Sequence, residues 1–121
     1  MQISVKEVNN MRCAIVQSTE PIINDSQSAL DIMMSIRYED NCDCIVVNKE
    51  AFAEQFFVLS SGIAGEILQK IVNYHFQLAI VGDFSEITSK PLQDFIYESN
   101  QGKTIFFVAD TDEALDKLKN R

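Results

Sequence analysis

Apolar and polar residues change period several times along this chain, and each change predicts an element. Residues 2–7 alternate, as in Ile3-Ser4-Val5-Lys6, which is the period of a strand with two unlike faces. Asn9-Asn10 follows. Both residues tolerate left-handed backbone, so a hairpin turn is expected before a second strand over 11–17, built around Cys13-Ala14-Ile15-Val16. After a loop over 18–25 the spacing shifts to three and four. Leu30, Met33, Met34 and Arg37 predict a helix capped by Asp25 or Ser26 and ending near Asp40-Asn41. Residues 43–47 then form an apolar run, Cys44-Ile45-Val46-Val47, of the kind expected from a strand covered on both faces.

The most extended pattern lies over 52–74. Phe52, Phe56, Leu59, Ile63, Ile67, Ile71 and Tyr74 recur at steps of three and four, a helical stripe. Ser60-Ser61-Gly62 interrupts it. That triplet is a poor helix interior and a good helix entry by propensity, so a helix beginning near Ser60 is expected, the alternative being one unbroken helix. A further apolar run over 77–81 ends at Gly82-Asp83. Ser89 then opens a helix with Pro91 in its first turn, bearing Leu92, Phe95 and Ile96 and stopping near Gly102. A last strand over 104–108 leads to Asp110 and Glu113, a pair resembling a capping box, and to a final helix with Ala114, Leu115 and Leu118.

The resulting order is ββαβαβαβα. Alternating strands and helices imply crossover units. The expected fold is therefore α/β: a mixed, mostly parallel five-stranded sheet with an antiparallel hairpin edge and four helices. The chain is 121 residues long, which suits a single domain over 1–121.

Composition narrows the functional classes. Eighteen acidic against ten basic residues leave a net charge of −8, which offers no basic stripe for a phosphate backbone and disfavours anionic membranes. No nucleic acid and no membrane partner is expected. No apolar run approaches the twenty residues of a spanning helix. The N-terminus lacks a charged start followed by an apolar block, so a cytoplasmic location is expected. Three cysteines, Cys13, Cys42 and Cys44, fit reduced thiols there.

Three stretches are familiar in combination. They are Arg37-Tyr38-Glu39-Asp40, then Gly65-Glu66-Ile67-Leu68-Gln69-Lys70 with Asn73-Tyr74, and then Ala79-Ile80-Val81-Gly82-Asp83-Phe84 with Ser89-Lys90 and the segment 95–100. Together they resemble a bacterial family catalogued as domain of unknown function 4180, over about residues 25–110. A second resemblance, at the level of the fold, is to STAS domains of the anti-sigma-factor antagonist type. In that family a Ser-Ser-Gly-Leu stretch opens the second helix and a partner kinase phosphorylates the first serine. Ser60-Ser61-Gly62-Ile63 holds that place here, and Leu59 stands where the family usually carries Asp. The resemblance implies Ser60 and Ser61 as phosphorylation candidates and a regulatory, protein-binding role.

The residues offer their own candidates. Open parallel sheets place ligands at the carboxyl ends of their strands. Asn48, Lys49, Asp83 and Ser85 fall there, with Lys90 reachable across a loop. A structural ion pair or cap between Lys49 and Asp83 is the plainer reading. On the second helix, Glu66, Gln69, Lys70 and Asn73 share a polar side. With Gly62 and Gly65 allowing close approach, Gly62, Gly65, Glu66 and Gln69 form a candidate docking surface. Neither G-x-x-x-x-G-K-[ST] nor G-x-G-x-x-G occurs, so no nucleotide cofactor is expected. Cys42-x-Cys44 lacks a second ligand pair, so no metal is expected. His75 is the single histidine and is read as helix-end packing rather than half of a catalytic dyad. The leading expectation is a non-catalytic STAS-like interaction module with a protein partner. A small-molecule binding protein or enzyme using Lys49, Asp83 and Lys90 is the alternative, and a homodimer through the edge hairpin or the second helix is a further one.

Overall fold

The computed structural model describes residues 1–119. A five-stranded sheet runs through the molecule in the order β1 (Gln2–Val8), β2 (Met11–Gln17), β3 (Cys44–Asn48), β4 (Gln77–Val81), β5 (Ile105–Val108). β1 and β2 pair antiparallel, and the other pairs are parallel. Four helices complete the fold: α1 (Ser26–Asp40), α2 (Ile63–Asn73), α3 (Lys90–Gln101) and α4 (Thr111–Lys119). This is the α/β class, mixed sheet and helix count expected from the chain.

Local chemistry accounts for the element ends. Asn9 and Asn10 take φ of 50° and 67°, the two left-handed residues of a tight hairpin turn whose twist matches the strands it joins. Asp25 caps α1 by accepting from the Ser28 N–H at 2.8 Å, while Ser28 Oγ accepts from the Asp25 N–H. Asn41 ends α1 in the left-handed region, φ 56°. Ser89 caps α3 with its hydroxyl on the Leu92 N–H, and Pro91 sits in the first turn, where a missing N–H costs nothing. Asp110 accepts from the Glu113 N–H at 2.8 Å, and the Glu113 carboxylate reaches back one residue further than a capping box requires, to the Ala109 N–H.

The 52–74 stripe is not one helix. Short 3-10 turns at Lys49–Ala51, Glu54–Phe57 and Leu59–Ser61 precede α2, which begins at Ile63 rather than Ser60. The break has three causes. Gly62 takes φ +82°, outside any right-handed helix. The Ser61 hydroxyl donates to the Gln55 carbonyl at 2.7 Å, so it binds backbone in a turn geometry. Ile23 also forms a parallel bridge with Phe52, its carbonyl accepting from the Ala53 N–H at 2.9 Å, which holds this stretch extended between turns. A 3-10 turn has three residues and so presents an apolar side chain inward almost as often as an α-helix. That is why Phe52 and Phe56 are buried outside any α-helix.

Strand alternation divides the core in two. Ala14, Val16, Ile45, Val47, Leu78, Ile80, Ile105 and Phe107 face α1 and α2, with Phe95 and Ile96 of α3 packed against the same cluster. Cys13, Cys44, Val46, Ala79, Phe106 and Val108 face α4 through Ala114, Leu115 and Leu118. Arg37 ties three elements together at one end of the first cluster. Its guanidinium lies 4.3 Å from the Phe76 ring centroid, donates to the Tyr74 carbonyl at 2.6 Å and pairs with the Asp43 carboxylate at 3.0 Å. The carboxylate pair is open to solvent and worth little, whereas the stacking and the carbonyl bond are not easily replaced. Replacing Arg37 by Ala is expected to lower unfolding stability by about 1–2 kcal/mol, read as a lower urea midpoint with an unchanged slope. Arg37→Lys is expected to recover less than half, because an ammonium lacks the planar face.

Candidate functional site

Two regions carry the candidate residues. The first is the entry of α2. Ser60, Ser61, Gly62, Gly65, Glu66 and Gln69 are all exposed. Ser61 is the constrained serine: its hydroxyl donates to Gln55 and accepts from the Ile63 N–H at 3.3 Å. Ser60 lies in the turn just before Gly62, with its side chain in solvent. A Cβ built at Gly65 meets nothing within 4 Å, so this helix face is open above its backbone. Gln69 donates to Asn73 along the same helix at 3.0 Å, and Glu66 places a carboxylate in the first turn, where the dipole favours it. Val58, 53% exposed, adds an apolar element beside this polar face.

The second region is the carboxyl end of the sheet. Lys49 Nζ donates to the Asp83 backbone carbonyl at 3.1 Å, and lies 5.8 Å and 5.3 Å from the ring centroids of Phe57 and Phe84. The Asp83 carboxylate is taken by the Ser85 hydroxyl and N–H, at 2.6 and 2.9 Å. These Ser85 bonds, with a smaller contribution from Lys49, hold the Asp83 pKa below its ordinary value of 3.8. Lys49, Asp83 and Ser85 are therefore brought together, but as a closed set of contacts. Lys90 is turned along its own helix onto Asp94, and Asn48 is turned the other way. Its side-chain amide accepts from the Ser18 N–H at 2.9 Å and donates to the Ser18 carbonyl at 2.7 Å, so it extends the β2–β3 pairing by one side chain.

Beside Asn48 the surface opens into a hollow of about 480 Å³ lined by Met1, Gln2, Gln17, Ser18, Thr19 and Asn48. Gln17, Ser18 and Thr19 lie at the carboxyl end of β2, apart from the sequence candidates at the ends of β3 and β4. The same carboxyl-end rule would have found them. The strand order runs from β1 to β5 without reversing. An open parallel sheet forms its binding crevice where the order reverses, and this sheet has no such point.

A family model described as "Domain of unknown function (DUF4180)" matches residues 8–118. The chain belongs to that family. A search of curated proteins and a search of solved structures each gave no match. The DUF4180 span runs from the last residue of β1 into the last turn of α4, so it includes both candidate regions.

Other chemistry in this DUF4180 chain is set by burial. Cys13, Cys42 and Cys44 are buried and reduced. Cys13 and Cys44 are partners across β2 and β3, and the Cys44 thiol donates to the Arg12 carbonyl at 3.2 Å. The hydrogen bond with Cys44, followed by burial, pushes the Cys13 thiol far above its ordinary pKa, and burial raises Cys42. His75 is exposed, just past α2 in left-handed backbone, φ 57°. Among the described residues no group of three or more His, Cys, Asp or Glu is placed to hold a metal ion, and no helix is long and apolar enough to cross a membrane.

Two measurements test these placements. A thiol reagent such as DTNB is expected to find none of the three cysteines in the native protein and all three in denaturant; rapid reaction of the native protein would contradict the burial. A Cβ at Gly82 would sit 2.7 Å from the Lys49 Cβ, an atom with little freedom to move. Gly82→Ala is therefore expected to cost about 1–3 kcal/mol. Introducing Lys49→Gly in that background is expected to remove part of the loss, while Lys49→Ala, which keeps the Cβ, is not. A double-mutant cycle reads the difference.

Proposed function

We propose that this protein is a cytoplasmic, STAS-like interaction module that docks a protein partner on the entry of α2. The observation that carries the reading is the broken stripe. Because α2 starts behind Gly62, the chain presents Ser60 to solvent in the turn ahead of the helix, and an uncovered Gly65 with the exposed Glu66 and Gln69 on the helix itself. The first N–H groups of α2 have no intrahelical acceptors, so a phosphate carried by Ser60 would lie near their positive end. Ser60 is favoured over Ser61 as the modified residue, since a phosphoester at Ser61 has no hydroxyl proton to donate to the Gln55 carbonyl. The acidic balance of the chain, −8, favours a partner with a basic contact surface.

The alternative reading, a small-molecule site at Lys49, Asp83 and Lys90, is favoured by one observation, the cation held between two aromatic rings. Against it, Lys49 already donates to the Asp83 backbone carbonyl, the Asp83 carboxylate is taken by Ser85, and Lys90 is engaged by Asp94.

Affinity capture from lysate of the native host, with wild-type and substituted baits, separates the readings. Gly65→Arg leaves the helix sterically unstrained yet covers the proposed face. It is expected to weaken the partner recovered by wild type at least tenfold, about 1.4 kcal/mol, while Lys49→Ala binds as wild type. Mass spectrometry of protein from that host is expected to find phosphate on Ser60 in a fraction of the chains. Equal binding by the Gly65→Arg bait, or a metabolite that raises the melting temperature only while Lys49 is present, would contradict the docking reading.

A further inference from the structure

The two edges of the sheet are treated differently. At the β5 edge the Asn100 side chain acts as an extra strand: its carbonyl accepts from the Phe107 N–H at 2.8 Å and its amide donates to the Phe107 carbonyl at 3.2 Å. That edge, four residues long, is blocked at Phe107. β1 has no such cover. All but its last residue are exposed, and no described residue outside β2 bonds to its backbone. Val8 and Met11 close the two-residue turn, which makes them a hydrogen-bonded pair. Bonded and non-bonded pairs alternate from there, so the N–H and C=O groups of Ile3, Val5 and Glu7 point away from β2. A seven-residue unpaired edge of this kind is a template for another strand.

We propose that this edge pairs with a second copy of the chain, β1 against β1, antiparallel about a two-fold axis at Ser4, joining two sheets into one. The self-complementarity of the strand selects the occupant and the register. With the axis at Ser4, Ile3 lies opposite Val5 of the second copy on both sides of the axis, on the face shared with Ala14 and Val16. Ser4 lies opposite Ser4, and Lys6 opposite Gln2. No like charges meet. Moving the axis to Val5 sets Ile3 against Glu7, and moving it to Lys6 sets two lysines together; each costs apolar or electrostatic complementarity. Charge supports the same occupant. Within residues 1–17 the charged side chains are Lys6, Glu7 and Arg12, two basic and one acidic. The hairpin is thus +1 in a chain of −8, and the repulsion between copies resides elsewhere. An isologous contact of one short strand falls below the standard interface size, so the dimer is weak and dissociates on dilution through the micromolar range.

Sedimentation equilibrium of the full chain over a concentration series tests this. The expected result is a monomer–dimer equilibrium in that range. Val5→Pro removes an N–H that points outward and spares the β1–β2 ladder; it is expected to give a monomer with an unchanged circular dichroism spectrum. Because that variant could instead disrupt the hairpin, Ser4→Cys provides an independent reading. Opposed residues in a non-bonded pair have Cβ atoms about 5 Å apart, so copper–phenanthroline is expected to cross-link Ser4→Cys at least tenfold faster than Gln2→Cys, whose copies stand about 13 Å apart in this register. The native cysteines are buried and do not compete. A wild type that stays monomeric throughout, as it would if the edge instead receives an extended peptide of another protein, overturns the proposal. So does a dimer that survives in folded Val5→Pro, or equal cross-linking of the two cysteine variants.

Discussion

The structure depends on one constraint: β3 and β4 are interior strands with both faces buried, and the connections cover only one of those faces. Each crossover from β2 to β5 moves one strand in the same direction. Right-handed crossovers that never reverse direction put α1, α2 and α3 on the same side. The opposite face, carrying Cys44, Val46, Ala79, Phe106 and Val108, is left to α4. A nine-residue helix covers it because the residues beneath include the small Cys13, Cys44 and Ala79, with Ala114 above them. Cys13 and Cys44 are thereby explained as volume rather than reactivity: each is small and apolar enough for a position where a Leu would lift the helix.

Much of this was legible in the chain because local and global signals agree. The boundaries of β2, β4 and α1 follow from period and caps: Asn9-Asn10 favours a turn, Asp25 or Ser26 a cap, of which Asp25 serves, and Asn41 tolerates the left-handed exit. The stretch over 52–62 was less legible for a physical reason. Periodicity reports which side chains face inward, and a run of 3-10 turns satisfies it nearly as well as an α-helix. What decides between them is tertiary, the bridge between Ile23 and Phe52 and the bond from Ser61 to Gln55, and neither leaves a trace in spacing. The propensity of Ser60-Ser61-Gly62 did signal a break, but the helix starts at Ile63 because Gly62, in left-handed backbone, serves as its cap.

The candidate regions show the same division. Strand ends could be placed from the sequence, and so Lys49 and Asp83 were expected near one another. Their actual relation was not readable: the lysine bonds the backbone carbonyl of Asp83 while the carboxylate turns to Ser85. Asn48 lines the hollow at the end of β2 and also pairs with the Ser18 backbone, a substitution of side chain for strand that Asn100 repeats at the far edge. Amide side chains are suited to this because each carries one donor and one acceptor in the geometry of a peptide group. The polar residues at the strand ends thus have structural partners, while at the entry of α2 Ser60 and Glu66 face solvent and Ser61 and Gln69 bond only within the turn and the helix. That contrast is why the functional reading centres on α2.

The reading therefore turns on where α2 begins. Backbone chemical shifts over residues 52–74, measured by NMR on the isolated protein, test it most directly. The account predicts helical shifts from Ile63 to Asn73, a left-handed Gly62, and no continuous helix through 54–61. Uninterrupted helical shifts from Phe52 to Tyr74 would contradict it, since Ser60 and Gly62 would then lie in a helix interior with no free entry to present.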